Sequence, residues 1–293
     1  MKQAAPARAA AVKRARPRLP GIATPPGKTP TMTRSLHHTV ASLGLLAALC
    51  ATSGAHAQAN IDQSRAVAGG INSTDTAGFP ITLTQSGHYR LTGNLVVPAG
   101  LTGIDIQGHN ITVDLNGFTI SGPVTCSRNA STREVTCANK PAVETFGVSA
   151  PSVLQGVTVR NGAVRGFSRG VRLLGQAVVD GVSASHNGHG IDVWGSEGSA
   201  GKVMHSRAEM NSGNGITVYS GMVLHSTASR NGWSGFTAGS SAYVQVIDSV
   251  ATGNARSGFS GMTLRGSLAM DNAANSRTKV QSLGQNVDEQ GKY

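Results

Sequence analysis

Four titratable residues head four similar stretches of this chain: Asp180 (DGVSASHNGHGI), His205 (HSRAEMNSGNGI), His225 (HSTASRNGWSGF) and Asp248 (DSVATGNARSGF). Imidazoles flanked by carboxylates can exchange protons near neutral pH or ligate a metal. If the stretches stack as adjacent strands, the heads form a column spaced about 4.8 Å, with its ends roughly 14 Å apart. They are the candidate catalytic residues. The same column also reads as exposed polar decoration held by weak attraction between neighbours. An evenly spaced row on a flat sheet diverges, whereas a metal needs convergent ligands, so no metal is assigned.

Two further groups carry polar or aromatic chemistry. Trp194 and Tyr219 fall at equivalent positions of successive stretches, with Arg172 and Asp192 one column away. Aromatic rings on a rigid face offer a stacking surface, and polar neighbours bond hydroxyls or a carboxylate. Arg172 beside Asp192 reads most simply as an ion pair between strands. Arg160, Arg165, Arg169 and Arg172 crowd one repeat unit and suit an acidic polymer, or else form a solvated Arg-rich loop.

The elements that must position these residues follow from the repeat. A Gly followed by an apolar residue recurs at Gly170-Val171, Gly190-Ile191, Gly215-Ile216, Gly235-Phe236 and Gly258-Phe259, with Asn at 187, 211, 231 and 254. A period in the low twenties, built from Gly/Asn turns and short alternating apolar runs, indicates stacked strands rather than helix pairs. The Leu-x-x-Leu-x-Leu frame of leucine-rich repeats is absent. The expected fold is all-β, a parallel β-helix over residues 81–275. Ile191/Val193, Ile216/Val218, Met204/Ser206/Ala208 and Leu224/Ser226/Ala228 should face inward, and the Asn residues should stack at a turn.

These repeats, with SGHYRLTGNLVVPAGLTGIDIQGHNITVDLNGFTISG at 86–122, resemble secreted right-handed parallel β-helix repeat proteins of the pectate-lyase-like superfamily. The resemblance covers roughly 80–275. It implies a right-handed solenoid and a polysaccharide partner, but not an activity, since the group hosts lyases, hydrolases, epimerases and adhesins. Its lyases typically hold calcium in an acidic cluster beside a Lys or Arg base, and its hydrolases carry grouped aspartates. Neither pattern maps onto this chain residue by residue. Calcium has no specific motif, and no cofactor is expected.

Charge and cysteines bound the setting. The net charge is +11, but residues 1–57 hold eight Lys/Arg and no acid, so the remainder has 25 − 8 = 17 basic against 14 acidic residues. That excess of three is no electrostatic footprint for nucleic acid. Arg34, the apolar run at 40–51 and Ala55-His56-Ala57 read as a signal peptide starting near Met32 and cut after Ala57, leaving no membrane span. Residues 58–80 are expected to be a linker or cap, and 276–293 a cap or tail. In an oxidising compartment, Cys126 and Cys137 should pin a loop at 123–141 by a disulfide. The expectation is an exported bacterial protein, secreted or periplasmic, that binds and can process a polysaccharide. The alternatives are a lyase or epimerase for acidic glycans, and a non-catalytic surface protein or periplasmic accessory factor.

Overall fold

A computed structural model describes residues 57–195, 200–239, 244–273 and 277–292. The signal peptide expected before Ala57 lies outside the described residues.

The chain winds as a parallel β-helix. Each coil contributes one strand to each of three sheets, in the order sheet 2, sheet 3, sheet 1. One coil runs through Gly201–Met204, Arg207–Glu209 and Ile216–Val218. The next runs through Gly221–Leu224, Thr227–Ser229 and Phe236–Ala238. Each strand pairs in parallel with its counterpart one coil away. Sheet 2 begins with Ala57–Ile61, which pairs in parallel with Gly87–Leu91 ahead of the repeats. A short helix, Gln63–Ala68, follows it, N-capped by Asp62, whose carboxylate accepts from the Arg65 N–H at 2.9 Å. At the other end, Gly291–Lys292 pairs antiparallel with Val287–Asp288.

The interior is filled by the alternating apolar residues of each strand. Val203, Ala208, Ile216 and Val218 are at most 1% exposed, and Phe236 stacks on Phe259 at 5.0 Å. Removing these side chains from water is the main favourable term in folding.

Two ladders hold the corners. Between sheets 2 and 3 a residue in the left-handed conformation turns the chain: Gly181, His205, His225, Asp248 or Gly266, with φ from 44° to 64°. A buried serine follows in most coils. The Ser206 N–H donates to Ser226 Oγ, the Ser226 N–H to Ser249 Oγ and the Ser249 N–H to Ser267 Oγ, at 3.2–3.3 Å. Each hydroxyl donates back to its own strand, as Ser206 does to the Met204 carbonyl at 2.7 Å.

Between sheets 3 and 1 stand Asn187, Asn211, Asn231 and Asn254, all fully buried. Each Oδ1 accepts from the previous coil, so Asn231 Oδ1 takes both the N–H and the Nδ2–H of Asn211, at 3.2 and 3.0 Å. Each Nδ2 also donates to a carbonyl of the previous coil, as Asn231 does to Ala208 at 3.1 Å. The repeated Gly belongs to the same device. A Cβ on Gly190, Gly215 or Gly235 would lie 2.6–2.9 Å from the Nδ2 of the next coil's Asn, so only glycine leaves room for the amide.

Two sequence expectations are corrected. Met204 and Leu224 point outward, half-buried, and Val203 and Val223 fill the core instead. The bend at His205 and His225 consumes one residue of the alternation, so the inward set restarts at the serine. The expected column is also one residue out of register at its start: Asp180 pairs with Met204 and Gly181 takes the place of His205 in its coil, because the segment from Asn187 to Gly190 is one residue shorter than that from Asn211 to Gly215.

Replacing Asn231 by Ala would leave the buried Asn211 N–H without a partner and take one bond each from Asn211 Nδ2, the Ala208 carbonyl and Asn254 Oδ1. With one buried donor orphaned at about 1–3 kcal/mol and three groups weakened, the expected loss is about 2 kcal/mol or more. It should appear as a lower urea midpoint, whereas the exposed Ser→Ala change at position 127 should leave the midpoint unmoved.

Candidate functional site

Residues 122–145 form an excursion at the corner between sheets 3 and 1. Thr125–Arg128 and Val135–Ala138 form an antiparallel hairpin in which Cys126 faces Cys137, and the two are disulfide-bonded. The hairpin lies back along the solenoid. Both sulfurs sit 3.6–3.7 Å from the Asn187 carbonyl. Arg128 Nη2 donates to the Gly253 carbonyl at 3.1 Å, and Arg133 reaches the Asp271 carbonyl and carboxylate at 2.5 and 2.7 Å.

Beneath the hairpin is a groove of about 590 Å³. One wall is the hairpin side, with Glu134, Thr136, Lys140 and Glu144. The other is the corner of the solenoid, with Arg169, His189, Gly213 and Trp233. The corner wall is itself a ladder: the Gly213 N–H donates to the Gly188 carbonyl, Trp233 to Gly213 and Arg256 to Trp233. Its side chains interlock. The Trp233 and His189 rings meet edge to face at 5.4 Å, and Arg256 lies over the Trp233 ring at 4.9 Å. Gly213 leaves the notch between them, since a Cβ there would fall 2.5 Å from the His189 ring. Trp233 remains 42% exposed.

Charge is concentrated at one end of the groove. Arg169 is clamped between Glu144, at 2.5 Å, and Asp192, whose carboxylate is almost fully buried. Burial works against the Arg169 charge, but the two carboxylates outweigh it and hold its pKa above the ordinary value. Arg172 reaches Glu144 at 3.5 Å. Burial pushes the His189 imidazole below its ordinary pKa; Asp192 opposes this and Arg169 reinforces it. His189 Nδ1 accepts from the Asn214 N–H at 3.3 Å, so the neutral ring carries its proton on Nε2.

The structure sorts the sequence candidates into separate places. Arg169, Arg172, Asp192, Trp194 and Tyr219 share the outer face of sheet 1 and its corner. Asp192 is bound by Arg169 rather than by Arg172, its neighbour in register. Arg160 and Arg165 do not join this group, because one coil spreads its residues over three sheets. Arg160 lies on sheet 2 and pairs with Asp114 at 3.0 Å. Arg165 lies exposed on sheet 3, on the other flank of the hairpin near His186.

Trp194 and Tyr219 do not offer free ring faces. They stack on each other at 3.9 Å. The Arg172 guanidinium covers the Trp194 ring at 5.2 Å and lies 5.6 Å from the Phe146 ring. Tyr219 also lies against Gly239, where a Cβ would meet its ring at 2.0 Å. Burial, aided by Asp192, pushes the Tyr219 hydroxyl above its ordinary pKa.

Asp180, His205, His225 and Asp248 line the opposite corner, between sheets 2 and 3. His205 Nδ1 bonds Asp180 at 2.9 Å, the two histidine rings stack at 5.5 Å, and His225 lies 3.6 Å from Asp248. All are substantially exposed. Among the described residues no group of three or more His, Cys, Asp or Glu side chains is gathered as a metal site requires.

Sequence reasoning missed His189 and Trp233. Both fall in the short segment between Asn and Gly-apolar. Counting two residues on from Asn gives His189, Gly213, Trp233 and Arg256, and the lone Trp in that row was the available signal.

No family model and no curated protein matches the sequence. Among solved structures, the chain is similar to the Dettilon tailspike protein, with 13% identity and a TM-score of 0.45, covering 72% of this chain and 54% of that one. It therefore spans about half the length of that tailspike. It is also similar to the A-module of the Azotobacter vinelandii mannuronan C-5 epimerase AlgE4, with 14% identity and a TM-score of 0.38, covering 68% and 73%. A third likeness is to a tailspike protein from Acinetobacter baumannii bacteriophage Fri1, a capsular polysaccharide depolymerase, with 12% identity and a TM-score of 0.36, covering 69% and 41%.

The His189 shift gives a pH dependence with a definite sign. Its pKa is lower folded than unfolded, so between the folded value and the ordinary 6.5 the unfolded chain binds more protons. Its contribution to stability is therefore present above about pH 6.5 and lost as pH falls towards the folded pKa. His189→Gln should flatten this part of the profile of unfolding free energy against pH, measured by urea titration between about pH 7.5 and 5.

Proposed function

We propose that this protein is exported and binds a polysaccharide in the groove between the disulfide hairpin and the corner ladder. The observation that carries the reading is Trp233, a large exposed aromatic ring at the wall of a groove rich in hydrogen-bonding groups. Trp233 supplies an apolar surface for a sugar ring. Lys140 and the Nε2–H of His189 supply donors, and Glu134 supplies acceptors for hydroxyls. The disulfide fits an oxidising compartment, and no helix among the described residues is long and apolar enough to cross a membrane.

Binding is favoured over proton abstraction by the state of His189. Its Nδ1 lone pair is already engaged by the Asn214 amide, so it presents a donor to the groove rather than a base. The lyase or epimerase reading would fall instead to the Asp180–His205–His225–Asp248 row, which has proton-exchanging groups but is exposed. A uronate polymer showing new unsaturated-uronate absorbance, abolished by His205→Ala with His225→Ala, would move the reading there.

A glycan array should show binding that Trp233→Ala weakens by about tenfold or more, on the scale of an aromatic contact in a binding site. Trp194→Ala should lower stability and leave affinity within about twofold. Binding lost in the Trp194 variant but kept in the Trp233 variant would move the site to the outer face of sheet 1, and an array with no binding at all would refute the reading.

A further inference from the structure

The hairpin over the groove is attached unlike anything else in the fold. Its two strands form a sheet of their own, with no ladder to the solenoid sheets. An isolated two-stranded hairpin is marginally stable in water, and this one buries little: Val135 is its one fully buried apolar strand residue, and Thr125–Arg128 alternates exposed and half-buried. Its root is fixed by Val124, 3% exposed, and by the disulfide over the Asn187 carbonyl.

Its tip is held by two arginines. Arg128 reaches the Gly253 carbonyl, and Arg133 forms an ion pair with Asp271 whose side chains are 32% and 67% exposed. Pairs so exposed contribute about 0.2–1 kcal/mol. The tip has its own order: Asn129 Oδ1 accepts from the Ser131 and Thr132 amides at 2.8 and 3.0 Å, and the Arg133 N–H donates to the Asn129 carbonyl at 2.9 Å. With the disulfide tying its strands, the hairpin can leave the surface as one piece.

We propose that residues 125–138 form a latched strap that opens as a unit about its root while the solenoid stays folded, with Arg133–Asp271 as the latch and the Cys126–Cys137 bond keeping the strap intact. Opening removes Glu134 and Thr136 from the wall of the groove and bares Trp233 from the side. A long polymer then enters laterally instead of threading end-on beneath the hairpin. This consequence rests on the groove being a glycan site, but the motion itself needs no ligand and is tested without one.

Hydrogen exchange on the full chain by mass spectrometry resolves the strap amides from those of the sheets. Strap amides are expected to exchange far faster than the buried ladder amides of 201–239 and 244–270. Arg133→Ala should speed them by about two- to fivefold, the factor an exposed ion pair supports, and Arg128→Ala with Arg133→Ala by roughly tenfold. Neither should change solenoid exchange. Reduction of the disulfide should abolish strap protection and again leave the solenoid unchanged. Strap amides that exchange only at the rate of the solenoid core, or that ignore both substitutions, would overturn the proposal. So would a solenoid that loosens together with the strap. Glycan binding that fails while the strap opens as described would refute the function and leave the strap standing.

Discussion

The structure hangs on the buried carboxamide of one asparagine per coil. That group meets a backbone N–H, a neighbouring carboxamide and a carbonyl in a space closed to water, where each unmet partner would be costly. Because it demands so much, it dictates its surroundings. Glycine must stand opposite it in the previous coil, since a Cβ on Gly215 would lie 2.6 Å from the Asn231 amide. The residue ahead of it must turn left-handed, as Met210 and Arg230 do. The serine ladder plays the lighter part at the other corner, with one hydroxyl serving as acceptor for the next chain and donor to its own.

This arrangement explains which features of the fold were legible. Ser-x-Ala-x-x-Asn followed by Gly and an apolar residue is the trace left by two ladders and two inward positions, so the solenoid and the stacking of Asn could be read from the repeat. The reading failed by one residue where it counted back from glycine: Asp180 was set beside His205 because both stand ten residues before their Gly anchors, but two residues separate Asn187 from Gly190 where three separate Asn211 from Gly215. Gly181 is the true equivalent of His205. Met204 and Leu224 were misplaced because the left-handed corner breaks strand alternation.

The site was less legible because it is built from pieces that no single period contains. Arg169, Asp192 and Arg172 belong to strand columns and could be noticed, but their pairing depends on Glu144, which arrives from the excursion. Asp192 is buried although it lies on an outward column. Trp194 and Tyr219 share one column, and their rings stack on each other. Rings in one column of a parallel stack pack against each other along the solenoid axis, as at 3.9 Å here, and so spend their faces internally. Trp233 has no aromatic ring one coil back, where Gly213 stands, and although Arg256 lies over it the side chain stays 42% exposed.

The start of the asparagine ladder also has an evolutionary meaning. The long excursion at 122–145 leaves the corner between sheets 3 and 1 two coils before Asn187; in the coil between them the equivalent corner residue is Phe167, whose N–H is the first to bond the ladder. From Asn187 onward the stretch leading into each Asn is closed to insertions, because extra residues there would carry the carboxamide out of register with both neighbours; only the short segment after it varies, by one residue between Asn187 and Gly190. New loops can be accepted only before the ladder begins or at the ladder-free corner between sheets 1 and 2, where the spacing of the repeats already varies. A lineage built on this chain would diversify its grip on ligands by editing those two places, while the rest of the coil stays locked.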